Sequence, residues 1–74
     1  MIKEFDRVIL LENIAEHNLK SGDIGTVVMI HENSEGYEVE FIALDGETIA
    51  VVTLEANQVR AIKQGEIAHA RELV

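Results

Sequence analysis

The sequence predicts an all-β domain: a small, strongly bent antiparallel barrel of five strands. Three observations support this fold class. Asp45-Gly46 joins two runs of alternating apolar residues, which is a strong signal for a β-hairpin. Short β-prone segments recur with turn residues between them, and no stretch within the barrel has convincing helical spacing. The chain also contains no proline that would interrupt a strand.

The first half of the chain contains two predicted strands. Phe5–Leu11 is predicted as strand 1, largely apolar and covered in part on both sides. A polar loop, Glu12–Lys20, follows, and its Ile14 and Leu19 are expected to attach it to one end of the barrel. Ser21–Gly25 then forms a turn, and the β-prone stretch Thr26–Ile30 is predicted as strand 2.

The central hairpin, Tyr37–Leu54, organises the chain. A two-residue type I′ turn at Asp45-Gly46 would pair Ile42 with Ile49 and place alternate residues on a core face. A bulge would instead shift the register by one residue and exchange the faces of one strand. The predicted core face comprises Tyr37, Val39, Phe41, Ala43, Thr48, Ala50, Val52 and Leu54.

The chain closes with a turn, a short strand and a terminal segment. Glu55–Asn57 is predicted as a tight 3₁₀ turn and Gln58–Ile62 as the last strand, with Val59 and Ala61 turned inward. We assign residues 1–63 to the barrel and residues 64–74 to a C-terminal helix or docking tail. Ile67, Ala70 and Val74 have helical spacing, but an isolated helix of this length would be marginal.

Length and composition limit the possible classes of protein. With 74 residues, the chain has a small core, and association with a partner or a second copy would supplement it. The absence of cysteine excludes disulfides and thiolate metal sites. No signal peptide and no membrane-spanning run are recognisable, so we expect a cytoplasmic protein with no membrane partner.

Acidic charge dominates the middle of the chain. The net charge is −8, and no lysine or arginine lies between Lys20 and Arg60. Such a surface would repel a phosphate backbone, so we expect no nucleic-acid partner. Two interpretations stay open: the charge keeps a small domain soluble, or it steers the domain toward a basic protein.

Searches for catalytic and metal-binding patterns lead to no site. His17, His31 and His69 lie in separate segments without metal-ligand spacing. Ser21 and Ser34 lie outside any nucleophile motif. The paired carboxylates of the central hairpin are better explained as a solvated strand face than as catalytic acids. We therefore expect neither enzymatic activity nor a cofactor.

Several stretches of the sequence together resemble a known family. They are Leu19–Val28 (LKSGDIGTVV), Tyr37–Phe41, Asp45-Gly46, Val51–Arg60 and Glu66–Leu73. The sequence resembles the bacterial domain of unknown function 4926. More distantly, the sequence is similar to SH3-like barrels of the photosystem I accessory subunit and of KOW type. This resemblance implies an SH3-like barrel and no defined activity.

The sequence thus predicts a non-enzymatic protein-interaction module, with a basic protein or a second copy as its partner. Two alternatives stay open: an acidic antitoxin or immunity-type inhibitor of a basic enzyme, and a KOW-like module that binds RNA or the ribosome. The predicted interaction surface is aliphatic at its centre and acidic at its rim. Its residues are Glu38, Glu40, Ile42, Glu47, Ile49 and Val51.

Overall fold

The computed structural model describes residues 1–73 and confirms an all-β domain with five antiparallel strands. Three single-turn 3₁₀ segments accompany the strands, and the described residues form no α-helix. The strands are β1 (Arg7–Leu10), β2 (Ile24–Ile30), β3 (Gly36–Ile42), β4 (Thr48–Glu55) and β5 (Val59–Ala61).

The order of the strands requires a strongly curled sheet. The order is β4-β3-β2-β1-β5, so β4 and β5 form opposite edges. Only the 3₁₀ turn Ala56–Gln58, three residues long, connects these two edges. Three residues span roughly 10 Å at most, and the sheet must therefore bend until its edges approach. The Glu55 backbone N–H donates to Gln58 Oε1 at 2.7 Å, which fixes this connection.

The core lies on the concave face of this sheet and confirms most of the predicted core face. Tyr37, Val39, Phe41 and Leu54 are buried, and Val52 packs against them. Leu19 from the first loop is also buried and pairs with Ile14 through an isolated bridge, as expected for an attached loop. The complete core comprises Val8, Leu10, Leu19, Val27, Tyr37, Val39, Phe41, Leu54 and Val59.

The predicted type I′ turn is wrong. Gly46 has a φ of +97°, whereas Asp45 does not adopt positive φ, as a type I′ turn would require. The Gly46 N–H donates to the Ala43 carbonyl at 2.9 Å, and the Ala43 N–H donates to the Glu47 carbonyl at 2.8 Å. The hairpin therefore has a three-residue loop that ends on a left-handed glycine.

A bulge in β4 then restores the predicted register. Ile42 pairs with Thr48, whereas Phe41 pairs with Ala50, so Ile49 is the unpaired extra residue. The predicted pair of Ile42 with Ile49 is wrong for this reason, and so is the inward position of Thr48, which is exposed. From Phe41 back to Tyr37 every pair is as predicted, because the longer loop and the bulge compensate each other.

The N-terminal strand is shorter than predicted because a turn precedes it. The Asp6 N–H donates to the Lys3 carbonyl at 3.0 Å, and the Asp6 carboxylate accepts the Lys3 N–H at 2.9 Å. Within this turn Phe5 has a φ of +72° and is 70% exposed. At the other end of the chain, β5 stops at Ala61, which is exposed rather than turned inward.

The C-terminal segment is an exposed tail without helix or strand that ion pairs hold against the domain, and the helix alternative is wrong for residues 66–73. Arg60 holds its start through Glu66, and Asp23 holds its end through Arg71. The ion pair at Asp23 joins residues that are 48 positions apart in the sequence. Val74, the last residue of the predicted helix, lies outside the described residues.

Candidate interaction surface

Four of the six residues of the predicted surface lie on the convex face of the sheet, where β3 and β4 run side by side. Glu38 pairs with Thr53 and Glu40 pairs with Val51, and directly paired residues share a face. Val51 is 53% exposed and Ile42 is 47% exposed. The structure therefore brings two acidic and two aliphatic side chains of the predicted surface onto neighbouring positions.

Hydrogen bonds hold the Glu38 carboxylate in place. The Thr53 hydroxyl donates to both carboxylate oxygens, at 2.8 and 2.9 Å, and His31 Nε2 lies 2.6 Å from Oε2. Because the Thr53 and His31 bonds favour the charged form, they lower the pKa of Glu38 below its usual value. The surface therefore carries a fixed negative charge at this position at neutral pH.

Glu40 is held in the same way, two pairs further along the hairpin. The Thr48 hydroxyl donates to Glu40 Oε2 at 2.9 Å. This contact exists because the Ile49 bulge brings Thr48 onto the convex face. Each of the two strand carboxylates thus has a threonine partner on β4 that orients it.

Met29 belongs to this surface, and the sequence analysis missed it. Met29 lies in β2, pairs with Glu38 of β3 and is 52% exposed. A register shift between Val27 and Met29 places it there. No feature of strand 2 alone would have revealed this, since its apolar residues TVVMI do not alternate with polar ones.

The two remaining residues of the predicted surface, Glu47 and Ile49, line a groove at the hairpin tip. Ile49 is half-buried and packs against the core, so it is not a neighbour of Val51 on the open face. Together with Ile42 and Glu47, it faces an open groove of about 510 Å³. The opposite wall of this groove is the tail, residues 70–73. The six predicted residues therefore divide between a sheet face and a groove.

Ion pairs fix the tail in its position. Arg71 donates from Nε and Nη2 to the two oxygens of Asp23, at 2.8 and 2.6 Å, and Nη2 also donates to the Asn18 carbonyl at 3.0 Å. Partial burial would raise the pKa of Asp23, but the bonds from Arg71 and from the Lys20 backbone N–H outweigh it, and the pKa falls.

The second anchor of the tail has the same form. Arg60 donates to both oxygens of Glu66, at 2.9 and 2.6 Å, and the Lys63 backbone N–H donates to the same carboxylate. These bonds lower the pKa of Glu66 to about 2. Both anchors are therefore fully charged at neutral pH, and the tail is attached to the sheet at two points.

Within residues 1–73 no three His, Asp or Glu side chains converge as a metal site would require. In the same part of the chain, no helix combines the length and hydrophobicity needed to cross a bilayer. His17 and His69 are exposed, and His31 contacts Glu38. The arrangement offers exposed contact surface and negative charge.

The fold and this surface define a small, acidic, all-β domain. Residues 4–61 match the family model described as domain of unknown function DUF4926, and the chain belongs to this family. The match covers all five strands and ends at the last residue of β5, so the tail lies outside it. No protein of curated function and no solved structure matches the chain. The relationship to SH3-like and KOW barrels stays a prediction.

Proposed function

We propose that this domain is a non-enzymatic protein-interaction module of the cytoplasm that binds a basic protein through the convex face of its central hairpin. The observation that carries this proposal is the half-exposed pair Ile42 and Val51 beside carboxylates that threonines hold in place. Exposed aliphatic side chains contribute to binding when a partner covers them, since water then leaves apolar surface.

The charges favour a basic partner over a second copy. Glu38 and Glu40 are already oriented, so a lysine or arginine that approaches them need not order flexible carboxylates first. A second copy would bring another net charge of −8 to the same interface. The acidic surface would also accelerate encounter with a basic protein, to a degree that depends on salt.

Capture from the source cell followed by binding measurements tests this proposal. The variant Ile42→Thr/Val51→Thr removes aliphatic surface but keeps β-branched side chains that suit a strand. Its matched control is Leu11→Thr/Ile62→Thr, because Leu11 is 44% and Ile62 is 46% exposed. We expect the wild type and the control to bind the purified partner equally and the Ile42/Val51 variant to lose binding, measured by titration calorimetry.

Two results would contradict the proposal. One is equal binding by both double variants, which would place the contact elsewhere. The other is a homodimer, detected by light scattering, that Ile42→Thr/Val51→Thr dissociates, because a second copy would then be the partner on this face. Circular dichroism of each variant checks that the fold is retained, so that lost binding is not lost structure.

A second candidate function is inhibition of a basic enzyme by charge mimicry of nucleic acid. The fixed spacing of Glu38 and Glu40 along one strand favours it, since successive phosphates also present regularly spaced negative charge. If the captured partner is a nuclease, the domain should inhibit it, and Glu38→Gln/Glu40→Gln should relieve inhibition. The third alternative, RNA binding, predicts micromolar binding of random RNA that weakens steeply with salt, and we expect none.

A further inference from the structure

We propose that the groove between the hairpin tip and the tail receives a short segment of the partner in which an aliphatic side chain is flanked by lysine or arginine. This inference rests on the proposed function and specifies its partner. The groove adjoins the convex face through Ile42, which belongs to both. A partner that covers Ile42 and Val51 would therefore reach the groove.

The chemistry of the floor and walls selects an aliphatic side chain. Phe41 and Leu19, both buried, form the floor, and Ile49 lies beside them. Leu44, at the hairpin tip, is 94% exposed at the mouth. The volume of about 510 Å³ exceeds one leucine several-fold, so a short peptide segment fits better than a single side chain.

The charge at the rim selects basic flanking residues. Asp45, Glu47 and Glu72 line the groove, and none of them forms an ion pair with a described residue. Arg71 is the one basic side chain in the described lining, and Asp23 neutralises it through the two short bonds. The groove therefore has excess negative charge, which a lysine or arginine next to the bound aliphatic residue would compensate.

The tail supplies one wall of the groove and lies outside the family match. Its residues 70–73 form one wall, and Arg71 holds that wall against the Asp23 carboxylate. Because the family match ends at residue 61, the domain core alone supplies only the hairpin side and the floor. Release of the tail should therefore open the groove without loss of the core.

A peptide titration followed by NMR tests the proposal on the full chain. The probe is a nine-residue peptide that alternates leucine with lysine. One matched peptide replaces leucine by serine at the same charge, and another replaces lysine by glutamate. We expect only the leucine–lysine peptide to shift the backbone amide signals of Ile42, Leu44 and Leu73. Peptide with the same charge but no leucine controls for attraction to the acidic surface as a whole.

Two variants and a matched control locate the binding. Leu44→Ser removes the exposed leucine at the mouth, and Ile67→Ser is its control, because Ile67 is 93% exposed but lies outside the groove. Leu44→Ser should weaken binding about tenfold, the effect of losing one buried aliphatic side chain, whereas Ile67→Ser should not change it. Arg71→Gln should also weaken binding, because it frees the tail, although it makes the groove more acidic.

Several outcomes would overturn the groove proposal. They are no binding of the leucine–lysine peptide, equal binding of the serine peptide, and amide shifts confined to the face around Glu38 and Val51. A natural partner that requires Val51 but tolerates Leu44→Ser would overturn it too, while the proposed function would stand. If neither Ile42→Thr/Val51→Thr nor Leu44→Ser weakened binding of the natural partner, the proposed function itself would be contradicted. The two failures are therefore distinguishable.

Discussion

Gly25→Ala tests how closely β2 and β3 pack in the core. Gly25 is buried in β2, and its φ is not positive, so alanine could adopt its backbone conformation. A Cβ at this position would lie 2.4 Å from Val39 Cγ1 and 2.9 Å from Phe41 Cε1. Carbon atoms in contact normally stay about 3.5–4.0 Å apart. Val39 would have to move by roughly 1 Å or more, yet it is fully buried.

Two opposing terms set the magnitude. Overpacking of a core costs about 1–3 kcal/mol. Alanine in a strand gains about 0.5–1 kcal/mol over glycine, because the unfolded chain loses less backbone entropy on folding. Because the overlap is with a fully buried side chain, the cost lies in the upper part of that range, about 2–3 kcal/mol, and we expect a net loss of about 1–2.5 kcal/mol in the free energy of unfolding. In a domain of this size, each kcal/mol lowers Tm by about 4–8 °C.

Urea unfolding of four proteins forms the assay: wild type, Gly25→Ala, Val39→Ala and the double variant. Val39→Ala removes the carbon in the 2.4 Å contact, so Gly25→Ala should cost less in that background. Some cost should persist, because the Phe41 ring is still close. The packing argument would be refuted if Gly25→Ala were as stable as the wild type. It would also be refuted if the losses of the two single variants added up to the loss of the double variant, because the two sites would then be uncoupled.

Three further predictions concern the hairpin, the N-terminal turn and the tail. Gly46→Val should lower the free energy of unfolding by well over 1 kcal/mol, because a β-branched residue would have to adopt a φ of +97°. Gly46→Asn should cost less in urea unfolding, and equal stability of the wild type and both variants would contradict the turn assignment. Phe5→Asn should stabilise the domain by up to about 1 kcal/mol in the same assay, because asparagine tolerates the positive φ that Phe5 adopts. A loss of stability would mean that packing of the Phe5 ring stabilises the fold. The folded-state pKa of Glu66 is lowered to about 2, so its stabilising contribution is present above about pH 4.5 and is lost as the pH falls toward 2. The pKa of Asp23 is lowered as well, so its contribution is also lost on acidification. The amide signals of the tail should therefore shift in that interval during an NMR titration, and tail signals that stay constant would contradict a tail held by ion pairs.

Local pattern was sufficient for much of the central hairpin. Alternation of apolar residues from Tyr37 to Phe41 and from Ala50 to Leu54 identified both strands and their buried face. The reason is that a strand with one buried face needs a period of two, and a slip by one residue would expose its whole apolar set. The acidic character of the surface also follows from the sequence alone, because acidic side chains outnumber basic ones and carry their charge wherever the fold places them.

The loop and bulge were beyond the reach of local pattern. A two-residue loop with one register and a three-residue loop with a compensating bulge produce identical pairs from Phe41 to Tyr37. They differ only in the part of the hairpin between Ile42 and Ile49. The choice between them depends on how Ile49 packs against the core, which involves residues from other strands.

The sequence by itself determined the class of fold, the position of the hairpin, most of its buried face and the sign of the surface charge. These properties depend on side-chain type and on spacing over a few residues. Tertiary structure alone decided the division of the predicted surface into a face and a groove, the exposure of Met29, and the path of the tail. The tail has too few apolar residues at regular spacing to form an element alone, and its position depends on Arg71 meeting Asp23, 48 residues earlier in the chain. Only folding brings those two charges together, and their ion pair holds the tail where it forms one wall of the groove.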